Sequence, residues 1–294
     1  MQRKTIRKIL NKKFNSWLDS IEDNAVKDLI KKNTIISGGC ITSMLLNEKI
    51  KDFDVYFSNK ETAKSVANYY VNSFNQKTST RKAEVKETED GRIKVFIKSA
   101  GVAAENEELL QESFEDVYDA LVEEEKPEEN KEEKKDYRPI FLTSNAITLS
   151  NKIQIVIRFY GNPEEIHFNY DFIHCKNYWT SKDNDLVLKS EALESILTKT
   201  LIYQGSKYPL CSVIRTRKFL QRGWHINAGQ YLKMLFQVSE LDLTNINVLE
   251  DQLVGVDSAY FNMLINALKS QIEGNKDFKI TSGYVSEIVD RIFN

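Results

Sequence analysis

Between residues 4 and 32 the apolar positions Ile6, Ile9, Leu10, Phe14, Trp17, Leu18 and Ile21, then Val26, Leu29 and Ile30, recur at helical spacing. They predict two amphipathic helices. The pattern then changes within a few residues. "NTIIS" is a short β-branched run, "GG" follows, "CITSMLLNE" returns to helical spacing, and "DFDVYF" alternates with a period of two. That order reads as strand, Gly-Gly turn, helix and strand. Further on, "TAKSVANYYVNSF" predicts a helix, and "RIKVFIKS", "PIFLTSN", "KIQIVIRFYG" and "IHFNYDFIHC" predict strands. From about Glu191 the apolar runs are helical to the end, as in "ALESILTKTLIY", "SVIRTRKFLQRGW", "GQYLKMLFQ" and "YFNMLINALKSQI". The expected architecture is an α+β domain over residues 1–184, a mixed sheet flanked by helices, followed by an all-helical domain over 185–294.

Composition adds bounds to this pattern. The 294 residues are 41% hydrophobic, enough for a sizeable core. The apolar runs are broken by charge too often to cross a membrane, and "MQRKTIRKILNKKF" is a basic amphipathic helix without a signal-peptide core. Cys40, Cys175 and Cys211 are far apart and not at metal-ligand spacing. Reduced thiols in a cytoplasmic compartment are expected, and the host cytoplasm if the gene is a phage's.

Charge is unevenly spread. Residues 105–136 hold 15 acidic and 4 basic side chains, a net of −11, so the rest of the chain carries +9 against an overall −2. An acidic, mobile insertion at about 103–137 is expected from a composition with few apolar residues after Val122. The segment reads first as a solvated surface insertion; the alternative is a tethered polyanion that competes with nucleic acid for the basic remainder.

The chemistry concentrates in "SGGCITSMLLNEKIKDFDVYF", residues 37–57. On a strand Asp52 and Asp54 share a face, about 6 to 7 Å apart, and repel unless a cation lies between them. Oxygen ligands of this kind suit Mg²⁺, which takes one or two carboxylates and completes its shell with water and phosphates. Gly38 and Gly39 let the backbone approach a polyanion, and the helix that follows offers free N–H groups to phosphate. Ser43, one turn in, adds a hydroxyl. A nucleoside triphosphate with Mg²⁺ needs both halves.

A strand, Gly-Gly, a helix and a strand opening Asp-x-Asp resembles the signature of the DNA polymerase β nucleotidyltransferase superfamily. The resemblance implies a third carboxylate on a later strand, for which Asp171 in "IHFNYDFIHC" is the candidate and Asp136 and Asp183 are alternatives. It further implies a two-metal site: one Mg²⁺ on Asp52, Asp54 and Asp171, a second on Asp52 and Asp54, with ATP or CTP as donor and an acceptor hydroxyl, most simply an RNA 3′ end, attacking the α-phosphorus. "YPLCSVIRTRKFLQRGWHI" is similar to a segment of CCA-adding enzymes and poly(A) polymerases, although "CITS" stands where that group has an arginine-aspartate pair. Arg215 and Lys218 would then close over the triphosphate, and Arg222, on the same helical face, would meet RNA. The stretches around Asp171 and Arg215 also resemble nucleotidyltransferase-like proteins of tailed bacteriophages. A protein or small-molecule acceptor, or a non-catalytic phage structural protein that keeps the fold, remain alternatives. Thr143, Ser144 and Asn145 either line a nucleotide pocket or form a plain turn, and the histidines read as structural.

Overall fold

The protein is represented by a computed structural model that describes residues 1–77, 81–88, 91–99, 137–253, 258–275 and 278–293. All of the acidic insertion except Tyr137 lies outside the described residues, and so does Asp136. The described residues fall into two compact units, the first within Met1–Val102 and Glu132–Gln204, the second within Gly205–Asn294.

In the first unit α1 (Arg3–Asp19) buries Ile6, Leu10, Phe14, Trp17 and Leu18, which its 3.6-residue period gathers on one side. Helix α2 (Asn24–Asn33) starts where the Asp23 carboxylate accepts from the N–H groups of Ala25 and Val26. There follow β1 (Thr34–Ser37), α3 (Gly39–Leu46), β2 (Phe53–Phe57) and α4 (Lys60–Lys77). A two-stranded ribbon pairs β3 (Arg81–Glu87) with β4 (Ile93–Ser99). The larger sheet is completed by β5 (Pro139–Leu142), β6 (Ala146–Leu149), β7 (Ile153–Tyr160), β8 (Tyr178–Thr180) and β9 (Asp185–Val187). Among the described residues its order is β5-β6-β7-β2-β1-β8-β9. The β2–β7 pair is parallel and its other neighbours antiparallel, so the sheet is mixed. Asn151 and Lys152, both at positive φ, make the tight turn from β6 to β7.

The two faces of this sheet are chemically different. Phe53, Val55, Phe57, Ile36, Ile153, Ile155 and Ile157 pack on the buried sides of α1, α2 and α4 as one core. Trp17 Nε1 donates to the Tyr70 hydroxyl at 2.7 Å and ties α1 to α4 inside it. On the opposite face Ile35, Tyr56 and Ile166 form a smaller cluster with Val156, Phe159, Tyr170 and Tyr178. Asp54, two residues from Tyr56 on β2, belongs to this second face.

One expected strand is not a strand. "IHFNYDFIHC" contains the end of α5 (Pro163–His167), turns at Phe168 and Asn169, and ends in a 3₁₀ helix over Ile173–Cys175. The cause lies just upstream: Asn162 caps the N–H groups of Glu164 and Glu165, Pro163 takes the first helical position, and Glu165 reaches back to the Asn162 N–H. A capping box with proline starts a helix whatever alternation follows.

Helix α6 (Ser190–Thr198) belongs to the first unit, which extends to Gln204. The second unit is helical: α7 (Pro209–Gln221), α8 (Ala228–Ser239), α9 (Ile246–Leu253), α10 (Ser258–Gly274) and α11 (Ser282–Phe293). Its own core is Leu249, Leu264, Ile265, Leu268 and Ile288. The α+β reading, a mixed sheet flanked by helices with a helical C-terminal region, is borne out.

Candidate functional site

Chain geometry brings one carboxylate against the Gly-Gly turn. Ser37, the last residue of β1, pairs with Asp54 on β2. Gly38 then turns with φ of +92°, and a Cβ at that position would lie 2.7 Å from Asp54 Oδ2. Only glycine accommodates both the left-handed backbone and this approach. Asp52 comes one residue before β2. Both carboxylates act on Cys40, the second residue of α3: burial chiefly, then Asp54, then Asp52 push its thiol well above the ordinary range. The two acids therefore sit on the side of the turn where α3 begins, with Ser43 buried one turn further on.

Beneath Asp54 lies a polar network. Ser37 Oγ is 2.9 Å from His167 Nε2 and 3.0 Å from the Asn177 carbonyl oxygen. That oxygen can only accept, so Ser37 donates to it and His167 Nε2 carries the proton shared with Ser37. His167 Nδ1 has no partner among the described residues. Burial first, and Lys189 and Lys176 after it, drop the imidazole to a pKa of about 4, so the ring is neutral at pH 7. Tyr56 and Tyr170, whose rings are 6.0 Å apart, are both raised well above the usual phenol range, first by burial and also by the negative charge of Asp54.

Asp171 stands in a bend, 7% exposed, immediately before the isolated bridge of Phe172 to Tyr203. It does not occupy a strand beside β2. The strand that does, β7, carries Gln154 opposite Asp54, and its sequence "IQIVIRFY" holds no acid. Among the described residues no group of three or more His, Cys, Asp or Glu side chains is placed to hold a metal, Asp171 with Asp52 and Asp54 included. Asp183 is exposed in the turn between β8 and β9. The donor set at the turn, two carboxylates, fits a single Mg²⁺ that shares its shell with water and phosphate oxygens.

The cationic residues singled out in the sequence belong to the second unit. Arg215 and Lys218 lie on α7, half-buried and exposed respectively. Arg222 caps the C-terminus of that helix, its guanidinium 5.8 Å from the ring centre of Phe219. The Asp52–Asp54 site is built from residues of the first unit, as are Gly38, Gly39 and Ser43. Thr143, Ser144 and Asn145 make the β5–β6 turn, where Thr143 Oγ1 accepts from the Ala146 N–H. Sequence reasoning missed Lys176, Lys189, Tyr56 and Tyr170 because nothing in their local pattern marks them.

Comparison with known proteins yields a family. Residues 8–199 match the family model described as Gabija anti-defense 2 family protein. A curated relative, Gabija anti-defense 2 of Bacillus phage SPbetaL7, is 20% identical over 287 residues, which cover 92% of this chain and 56% of that protein. The chain thus spans little more than half the length of that relative, whose phage origin agrees with the likeness to phage proteins. Among solved structures, the Thermotoga maritima CCA-adding enzyme complexed with tRNA aligns with a TM-score of 0.43 at 13% identity, over 88% of this chain and 47% of that one. The Bacillus stearothermophilus CCA-adding enzyme in complex with CTP gives 0.39 at 10% identity, over 86% and 51%. Superpositions of this quality carry no conclusion about chemistry.

Proposed function

The chain belongs to the Gabija anti-defense 2 family, and on that premise we propose that it counters Gabija through a nucleotidyltransferase-like site at Asp52 and Asp54. The observation that carries the reading is the packing of the Asp54 carboxylate against Gly38, at the mouth of the β1–α3 turn. A paired acid set against a glycine turn that opens a helix is an arrangement for a metal-bound polyphosphate.

In this reading Asp52 and Asp54 hold Mg²⁺, which when bound neutralises phosphate charge and lowers the pKa of an acceptor hydroxyl. The chain's own groups do the rest. Gly38 permits the approach, and the free N–H groups at the start of α3 face the phosphates, with Ser43 one turn behind them. Ser37, bonded to His167 and to the Asn177 carbonyl, and the packed rings of Tyr56 and Tyr170 would steady the strands that carry Asp54, so that the carboxylate does not have to reorganise when substrate arrives. The nucleoside monophosphate passes to an acceptor hydroxyl and pyrophosphate leaves. An RNA 3′ end is the acceptor that the Arg215, Lys218 and Arg222 stripe would serve.

A second reading, nucleotide capture without transfer, is favoured by one observation: Gln154 stands opposite Asp54 where a further acid would complete a second metal site. The two part in one experiment. Bacteria carrying Gabija are infected while expressing the wild type, Asp52→Asn or Asp54→Asn, and the purified proteins are assayed for Mg²⁺-dependent pyrophosphate release from each nucleoside triphosphate. Transfer requires both variants to fold by circular dichroism, lose release by about two orders of magnitude, and fail to rescue infection. A wild type that binds nucleotide and rescues infection without releasing pyrophosphate leaves capture standing and transfer refuted, and full rescue by the asparagine variants refutes both.

A further inference from the structure

Two lysines outside the expected set are anchored to the same turn. The Cys175 and Asn177 carbonyls, on either side of Lys176, are both tied to it: the Gly38 N–H donates to Cys175 O at 3.1 Å and Ser37 Oγ to Asn177 O at 3.0 Å. Thr42 Oγ1, inside α3, donates to His174 O at 2.9 Å. Lys176 is thereby held by its main chain against the β1–α3 turn. The side chain of Asn177, wholly buried, accepts from the Lys189 N–H at 2.9 Å and brings the second lysine to the same place.

The ammonium groups are close enough to repel. Burial first and Lys189 second lower the Lys176 pKa, against the opposing pull of Glu191 and Glu164. Lys189 is only 19% exposed and pairs at 2.8 Å with Glu164, whose side chain is 66% exposed. His167, which both lysines act on, is neutral and offsets nothing. Two half-buried cations whose counter-charges, Glu164 and Glu191, are both exposed to solvent are incompletely neutralised in the free protein, and an arriving anion would relieve this.

We propose that Lys176 and Lys189 form the cationic subsite that binds the polyphosphate tail of the nucleotide, with Glu164 as the counter-charge the ligand displaces. The proposal rests on the nucleotide-handling reading of the Asp52–Asp54 site and supplies what two carboxylates cannot, positive charge from the first unit. Lysine suits the task as a compact point charge on a flexible stem.

Calorimetric titration of the whole chain with inorganic tripolyphosphate, without added Mg²⁺, isolates the lysines from the aspartates. Lys176→Gln and Lys189→Gln should each weaken tripolyphosphate about tenfold, the scale of one charge-assisted contact. Glu164→Gln should tighten it about two- to fivefold, since Lys189 no longer has to leave an exposed ion pair. A merely structural Lys189–Glu164 bridge would make those two variants behave alike. The proposal is overturned if the wild type does not bind tripolyphosphate, or if Lys176→Gln and Lys189→Gln bind it as tightly as the wild type. Pyrophosphate release is read separately: a tripolyphosphate pattern as expected in a protein that transfers nothing keeps the subsite and removes the transfer reading, and transfer that ignores both lysines does the reverse.

Discussion

His167 and Ser37 show how one buried side chain makes the site answer to pH. The imidazole is 1% exposed and its pKa falls from 6.5 to about 4. Between those values the unfolded chain binds a proton that the native protein refuses, so stability is complete above pH 6.5 and declines as pH falls through the window. A shift of this size is worth about 3 kcal/mol. Urea unfolding at pH 7 and pH 4.5 should show the wild type losing roughly 2 to 3 kcal/mol more than His167→Gln, which keeps an N–H near Nε2 but does not titrate. Equal losses would mean that His167 is protonated in the native state. Asp54 is a different kind of residue: its period-two partnership with Asp52 could be read from "DFD", whereas its approach to Gly38 requires the β1–β2 register.

At the scale of elements the β1–α3 turn divides its two glycines into different roles. Gly38 has φ of +92° and would drive a Cβ to 2.7 Å from Asp54 Oδ2; Gly39 meets nothing within 4 Å. Gly38→Ala should therefore cost about 1 to 2 kcal/mol of backbone strain, displace the carboxylate and abolish Mg²⁺-dependent nucleotide binding. Gly39→Ala, inside the first turn of a helix, should leave melting temperature and binding close to wild type. Matching effects of the two substitutions on nucleotide affinity would show that the closeness of Gly38 to Asp54 has no part in binding. The sequence marks the pair as a turn without distinguishing its members. The segment after β7 shows the opposite fault. Its alternation suggests a strand, while "NPEE" directly ahead carries a helix start that outweighs it, because a satisfied cap and proline at the first helical position act before any side-chain periodicity.

For the whole molecule, the charge distribution is the property that reaches furthest. Residues 105–136 hold −11 and the remainder +9, so a net of −2 understates the attraction of the rest of the chain for phosphate. If RNA is the acceptor, Lys218→Ala or Arg222→Ala should reduce the slope of log affinity against log salt by about one for each phosphate that the variant no longer neutralises. Fluorescence anisotropy with a labelled single-stranded RNA at several salt concentrations measures it. An unchanged slope in both variants would withdraw RNA from the stripe and leave a protein or small-molecule acceptor. Among the described residues no helix is long and apolar enough to cross a membrane.

Local regularities of the chain were written in its sequence alone. The two leading helices, the strand–Gly-Gly–helix–strand order, the β7 strand, the helical C-terminal region and the pairing of Asp52 with Asp54 all follow from periods of 3.6 and 2 and from the freedom of glycine, which act within a few residues. The three-residue strands β8 and β9 are too short to carry such a period and exist because neighbouring strands complete their hydrogen bonds. Tertiary structure alone decided that Gln154 rather than an acid faces Asp54, that His167 is buried neutral under Ser37, and that the Lys189 N–H reaches the Asn177 side chain next to Lys176. Each depends on residues more than ten positions apart being brought together by register and burial, and no local pattern encodes which distant residue will arrive.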